Sequence, residues 1–359
     1  MWNQAQGDSL HSGRVNVRLN SRGFVPSVVR KMAGTIISAP VSADNIILLY
    51  TATDDGLLLS AVEAEAGEMI WEKSISMFTT GYWTAGAIVD STLYCFDAGG
   101  LAGLATASGD ELMRLPNDKD GWLATSPPTV SGEGIFFHED AGKLLNVDRK
   151  SMDLRWTVWR RGMISYAPPA IADDRLIAQW IRAGKSLVSG IDVATGECCW
   201  ELEMPELARG VCTLLNGAAY LPLFGQDCIL AVDAKTGRGL WRQKVDPRRG
   251  RDFPDYVGFC VPNGNLVHCM SPDYCEAIDP LSRKILWRSP IESPVVCAPV
   301  ADEDSVIVAM ENGTIARLSA TTGEVIVNCS LGEEVIFTPA LTDYGLFLAT
   351  TDGTLWRIR

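Results

Sequence analysis

Few residues in this 359-residue chain have the types and spacing that chemistry requires. There are three histidines, at positions 11, 138 and 268. His138 stands apart from the other two, because FFHED puts its imidazole at the end of an apolar run beside Glu139 and Asp140, where it can act as acid or base. Asp120, Tyr166 and Asp255 lie in other polar, aromatic-rich segments and are the remaining candidates for moving protons. A second set of residues surrounds these four. Tyr82 and Trp83 occur in MFTTGYWTAG and Trp122 in NDKDGWLA, while Arg160 and Arg161 precede Tyr166 in WRRGMISYA. Arg249 and Arg251 precede Tyr256 in DPRRGRDFPDYVG, and Trp180 and Phe224 come from shorter segments. Aromatic rings present apolar area at low entropic cost, and arginines supply planar donors for carboxylate or phosphate groups. The expectation is an aromatic, Arg-lined funnel for a small-molecule, peptide or protein ligand.

Other chemistries find little purchase. The chain has no GxSxG elbow, no P-loop and no dinucleotide fingerprint leading into a helix. Scattered histidines, cysteines without CxxC spacing and no calcium-loop cluster of Asp, Asn and Glu lead us to expect neither metal nor cofactor. A net charge of -13 would repel a phosphate backbone, so nucleic acid is excluded as a partner. No apolar run approaches the roughly 18 to 20 residues of a membrane span. The ten cysteines, including the adjacent Cys198 and Cys199, read as mostly reduced, buried thiols. The opening MWNQAQGDSLHSG lacks the charged head and apolar middle of a signal peptide. The expected location is the cytoplasm, with export open if a leader has been removed ahead of Met1.

The elements that position these residues repeat. Seven times an alternating apolar strand runs into a five-residue turn, ending at 67, 109, 152, 196, 237, 283 and 323, an interval of 40 to 46 residues. That is the period of a four-stranded propeller blade, and the short Val-, Ile- and Leu-rich segments punctuated by Gly, Pro, Asp and Asn exclude helix-pair solenoids of similar period. Four positions beyond the turn end stands a tryptophan in five repeats, Trp71, Trp156, Trp200, Trp241 and Trp287, with Met113 and Val327 in the other two. At that fixed place on an outer strand an indole wedges between neighbouring sheets, so these tryptophans are structural. The last repeat stops at TLWRIR before its outer strand, leaving an edge that the N-terminus can cover, with either 25–32 (VPSVVRKM) or 14–19 (RVNVRL).

The units IDVATGECCW, AVDAKTGRGLW and AIDPLSRKILW, with the opening Trp2, Gly7, Asp8 and His11 to Gly13, resemble the pyrroloquinoline-quinone-like repeat propellers over nearly the whole chain. That family contains quinoprotein dehydrogenases and an eight-bladed propeller lipoprotein of outer-membrane assembly. The resemblance implies an all-β, eight-bladed β-propeller of four-stranded antiparallel blades whose last blade is closed by an N-terminal strand. Residues 1–33 would be the strap and closing strand, 34–334 blades one to seven and 335–359 the inner three strands of blade eight, in a single domain. It does not bring the quinoprotein site motifs, since Cys198 and Cys199 directly precede the blade tryptophan Trp200 on an outer strand, far from the axis where a quinone would sit. Two functions follow, with a quinoprotein dehydrogenase as a remote third. One is a non-catalytic propeller binding its ligand through the loop face; the other is a cofactor-independent cyclase, lyase or isomerase using Asp120, His138, Tyr166 and Asp255.

Overall fold

The computed structural model describes residues 2–19, 23–76, 86–117, 124–208, 210–224, 228–245, 258–271, 273–295 and 297–359. It is all-β apart from one 3-10 turn, Pro262–Gly264, among the described residues. Eight antiparallel sheets follow one another along the chain as the blades of a propeller. Blade 3 is representative: innermost strand Thr129–Ser131, second strand Gly134–His138, third strand Lys143–Asp148 and outer strand Leu154–Trp159, each paired with the next. The second and third strands are the most deeply buried, while outer strands alternate between buried and exposed residues, as a sheet edge facing solvent requires.

Blade 8 is closed as the repeat count demands. Pro26–Lys31 pairs antiparallel with Thr354–Ile358, setting Val28 opposite Trp356. Contacts also reach blade 1: Arg30 donates to Gly67 O at 2.9 Å and Arg357 to Ala64 O at 2.6 Å. Of the two segments able to close the ring, 25–32 does so. The other, 14–19, has a different role, because Arg14 bridges Ala301 in parallel on the innermost strand of blade 7.

That second role belongs to the whole N-terminal strap. It travels along the inner wall of the ring and accepts, blade after blade, the N–H of the same innermost-strand position. Ser42 donates to Trp2 O at 2.7 Å, Ile88 to Asn3 O at 2.7 Å and Val130 to the Gln4 side chain at 2.8 Å. Ile171 then donates to Ser9 O, Leu214 to Leu10 O and Ala301 to Gly13 O, at 2.7, 2.9 and 2.8 Å. Innermost strands of a propeller are edges, and here their donors are satisfied by the protein's own chain. The strap ends on a buried clamp. Asp302 accepts from Leu19 N at 3.2 Å and from Arg317 at 3.0 Å, and Arg317 donates in turn to Leu19 O.

The repeated turn explains itself in this setting. In the fourth blade Asp192 accepts from the N–H groups of Ala194 and Thr195 and from the Thr195 hydroxyl, and Gly196 takes the left-handed φ of +75° that ends the turn. Asp233, Thr236 and Gly237 repeat the arrangement. Each blade tryptophan reaches across to the following blade's turn and donates its indole N–H to the turn's second residue: Trp71 to Thr106 O, Trp156 to Val193 O, Trp200 to Ala234 O, Trp241 to Pro280 O and Trp287 to Ala320 O, all at 2.8 to 3.0 Å.

Candidate functional site

Tyr82, Trp83, Asp120, Trp122, Arg249, Arg251, Asp255 and Tyr256 lie outside the described residues, and of Phe224 only the strand backbone is described. The structure therefore places His138, Arg160, Arg161, Tyr166 and Trp180, and it gathers them at one corner between blades 3 and 4. The local chain path accounts for this. After His138 a tight turn returns at Lys143, with Gly142 at φ +84° donating to Glu139 O. A Cβ on Gly142 would stand 2.4 Å from Arg160 O, so glycine is what lets the turn seat the linker of the next blade. Arg160 N donates to Gly142 O, and Ile164 exchanges two backbone hydrogen bonds with Ile181 at the end of the second strand of blade 4, Arg175–Arg182.

At this corner Trp159, the last residue of the outer strand, is 46% exposed. Its indole N–H is held by Ala141 O at 2.8 Å. The Arg161 guanidinium lies 4.2 Å from its ring centre and the Lys143 ammonium 5.7 Å away. Arg161 makes no ion pair among the described residues. A fixed, solvent-facing indole flanked by cations is built for contact with an aromatic or acidic group. Trp159 is a residue the sequence reading passed over. The available signal was its position, three beyond the blade tryptophan, where other repeats carry Ser74, Pro116, Glu203, Lys244, Pro290 and Ser330.

Trp180 differs from expectation. Its sequence setting puts it among the rings that line a funnel, but the second strand of blade 4 runs for eight residues, to Arg182, and carries the indole inward to complete burial between the blades. It meets His138 edge to face, with ring centres 5.1 Å apart. The Arg160 guanidinium lies over the same ring at 5.5 Å from its centre and bonds Glu201 on the outer strand of blade 4. His138 is itself fully buried; its backbone N–H donates to Ser126 Oγ, while both ring nitrogens are without a hydrogen-bond partner among the described residues. Burial lowers its pKa to about 3, so the ring is neutral at pH 7 and packs between blades. Tyr166 is half-buried on the adjoining linker.

Glu139, next to His138, is an acid outside the candidate set. It is buried, 3.6 Å from Lys143 Nζ, and burial raises its pKa above the ordinary carboxylate value. One further expectation changes in detail. Cys198 and Cys199 do sit on an outer strand, Cys198–Met204, but both are exposed rather than buried. His268 is a buried, hydrogen-bonded core residue, accepting from Met270 N and lying 3.4 Å from Glu276. Among the described residues no cluster of His, Cys, Asp or Glu is arranged to hold a metal ion, and no helix is long and apolar enough to cross a membrane.

Residues 54–211 and 272–359 match the family model described as outer membrane protein assembly factor BamB. A BamB of Burkholderia pseudomallei is 24% identical over 345 residues, covering 89% of this chain and 84% of that protein. Among solved structures, BamB from Moraxella catarrhalis superposes with a TM-score of 0.64 at 15% identity, covering 93% of this chain and 98% of its own. The quinohemoprotein alcohol dehydrogenase of Comamonas testosteroni superposes with a TM-score of 0.74 at 11% identity, covering 99% and 80%. Likeness at such identities reports the fold alone.

Proposed function

Because the chain belongs to the propeller family described as outer membrane protein assembly factor BamB, we propose that it is a non-catalytic scaffold that docks a protein partner, and that it works in the cell envelope rather than the cytoplasm. The envelope assignment rests on its relatives, which are named for outer membrane assembly. The observation that carries the docking surface is Trp159. An exposed indole, fixed by Ala141 and flanked by Arg161 and Lys143, is the kind of rigid aromatic anchor on which interface energy concentrates. Lys143 and Arg160 are paired with Glu139 and Glu201, whereas Arg161 makes no ion pair among the described residues and the Arg182 guanidinium lies near Gly162 beside it. The partner class this corner fits is a protein segment with acidic and aromatic side chains. The N-terminal strap supports a rim rather than an axial site, since it lines the inner wall of the channel through six blades.

The test is photo-crosslinking from position 143, beside Trp159, in the full chain expressed in its native cells. Position 281 serves as the control, because Leu281 is exposed on a blade turn at the opposite end of the propeller. A single protein crosslinked from 143 and absent from 281 is expected. Equal yield from both positions, or none from either, would count against this surface. The enzyme reading would be favoured instead if the purified protein converted a small molecule and Glu139→Gln abolished the conversion.

A further inference from the structure

Three of the ten cysteines, Cys260, Cys269 and Cys275, share the core of blade 6. This is the blade with the shortest ladder. Its second strand, Leu266–His268, has three residues where that of blade 4 has eight, and its innermost segment pairs only through a bridge between Cys260 and Val267. The bridge fixes the alternation of the backbone. Cys260 and Val267 exchange both hydrogen bonds, at 3.0 and 2.9 Å, so Val267 turns its N–H and C=O toward the innermost segment and away from the third strand. Its third-strand partner, Ala277, is then at a non-hydrogen-bonded position, and so is every second pair along the hairpin. His268 lies opposite Glu276, the last pair of the ladder, and Cys269 and Cys275 are the residues that flank it on the turn side.

Directly opposed residues at a non-hydrogen-bonded position have Cα atoms about 4.5 Å apart and side chains on one face, inside the roughly 4.4 to 6.8 Å that a disulfide spans. The Cys269 and Cys275 thiols are in hydrogen-bond contact, and Cys260 is close to both. The geometry points to a cross-strand dithiol: we propose that Cys269 and Cys275 oxidise to a disulfide that staples the second and third strands of blade 6. The oxidant is a disulfide, either a low-molecular-weight one or that of a dithiol oxidoreductase. One cysteine loses its proton and attacks the oxidant's S–S bond to give a mixed disulfide, releasing the first oxidant thiol. The second cysteine loses its proton and displaces the remaining oxidant sulfur as a thiol. Two S–H bonds are exchanged for one S–S bond here, and the oxidant takes up both electrons and both protons.

Burial holds the Cys275 and Cys260 thiols protonated, well above the ordinary thiol range, and a thiol is a poor nucleophile. Exchange therefore belongs to the hairpin before blade 7 packs on it. Once formed, the bond is shielded from reductant.

The inference stands independently of the docking surface at blades 3 and 4. The full chain is refolded from denaturant in a mixture of oxidised and reduced glutathione, then denatured without reductant, alkylated and weighed. Eight alkylated cysteines are expected, with Cys269 and Cys275 in one peptide lighter by two hydrogens. Cys275→Ala should leave nine alkylated cysteines. Cys260→Ala should keep the staple, and this variant guards against a folding failure of the first. Refolding in excess reductant instead should lower the unfolding resistance only of the proteins able to form the staple. Ten alkylated cysteines in the wild type, or a disulfide elsewhere with both Cys269 and Cys275 alkylated, would overturn the proposal.

Discussion

Trp200 of blade 4 lies flat against Gly237, the residue that closes the repeat turn of blade 5, while its indole N–H is bonded to Ala234 in the same turn. A Cβ added to Gly237 would stand 2.5 Å from the indole, and the glycine's φ of +72° is one that L side chains rarely adopt. Gly237→Ala should therefore cost about 2 to 4 kcal/mol, through backbone strain and displacement of the ring. The urea midpoint measures this, and Gly217→Ala is the control. Gly217 has a similar φ of +75° but nothing near its Cβ, so its loss should be smaller.

The strap makes a separable prediction. Asp302 is fully buried and accepts from Leu19 N, from Arg317 and from the Ser305 N–H and hydroxyl. Asp302→Ala would leave a buried guanidinium without its main counter-charge, a loss of roughly 3 to 5 kcal/mol. Hydrogen exchange should show the strap amides from Gly13 to Leu19 losing protection before the blade strands do. Uniform loss across all blades would contradict the clamp.

Acid should act on this fold through two histidines. Burial lowers the pKa of His11 from 6.5 to about 4 and that of His138 to about 3. Both are neutral when folded, whereas the unfolded chain takes up their protons below about pH 6.5, so stability falls as pH drops from there toward 4. The effect is on the order of 3 kcal/mol for each ring. His138→Phe keeps a ring against Trp180 and removes the titration, so its unfolding free energy should vary less between pH 6.5 and 4 than that of the wild type. Parallel profiles would assign the acid sensitivity to other groups.

How far the sequence revealed this molecule depends on where its physics is local. The turn's aspartate, threonine and glycine bond to one another within five residues, and the tryptophan they receive stands at a constant offset, so period and blade count could be read and the closing strand narrowed to two segments. Even an exception is consistent: Met113 replaces the tryptophan of blade 2, and the turn it meets ends in Met152, at φ 60°, instead of glycine. Met113 packs in the cluster that contains Met152. The strap's course was not legible, because it is held largely by backbone carbonyls, which any side chain supplies. The corner of blades 3 and 4 was half legible. Arg160, Arg161 and His138 were singled out by type, but whether a ring faces solvent depends on strand length. One long second strand buries Trp180, and the end of an outer strand exposes Trp159.

The central claim is that an exposed indole beside Arg161 anchors a protein partner, and the most direct measurement is the affinity of the crosslinked partner for three proteins: wild type, Trp159→Ala and Leu281→Ala. Both substitutions are at exposed positions and should leave the unfolding free energy within about 0.5 kcal/mol of the wild type. Trp159→Ala is predicted to weaken binding by about tenfold or more, corresponding to about 1.4 kcal/mol, with Leu281→Ala unchanged. A Trp159→Ala protein that folds normally and binds as tightly as the wild type would contradict the account.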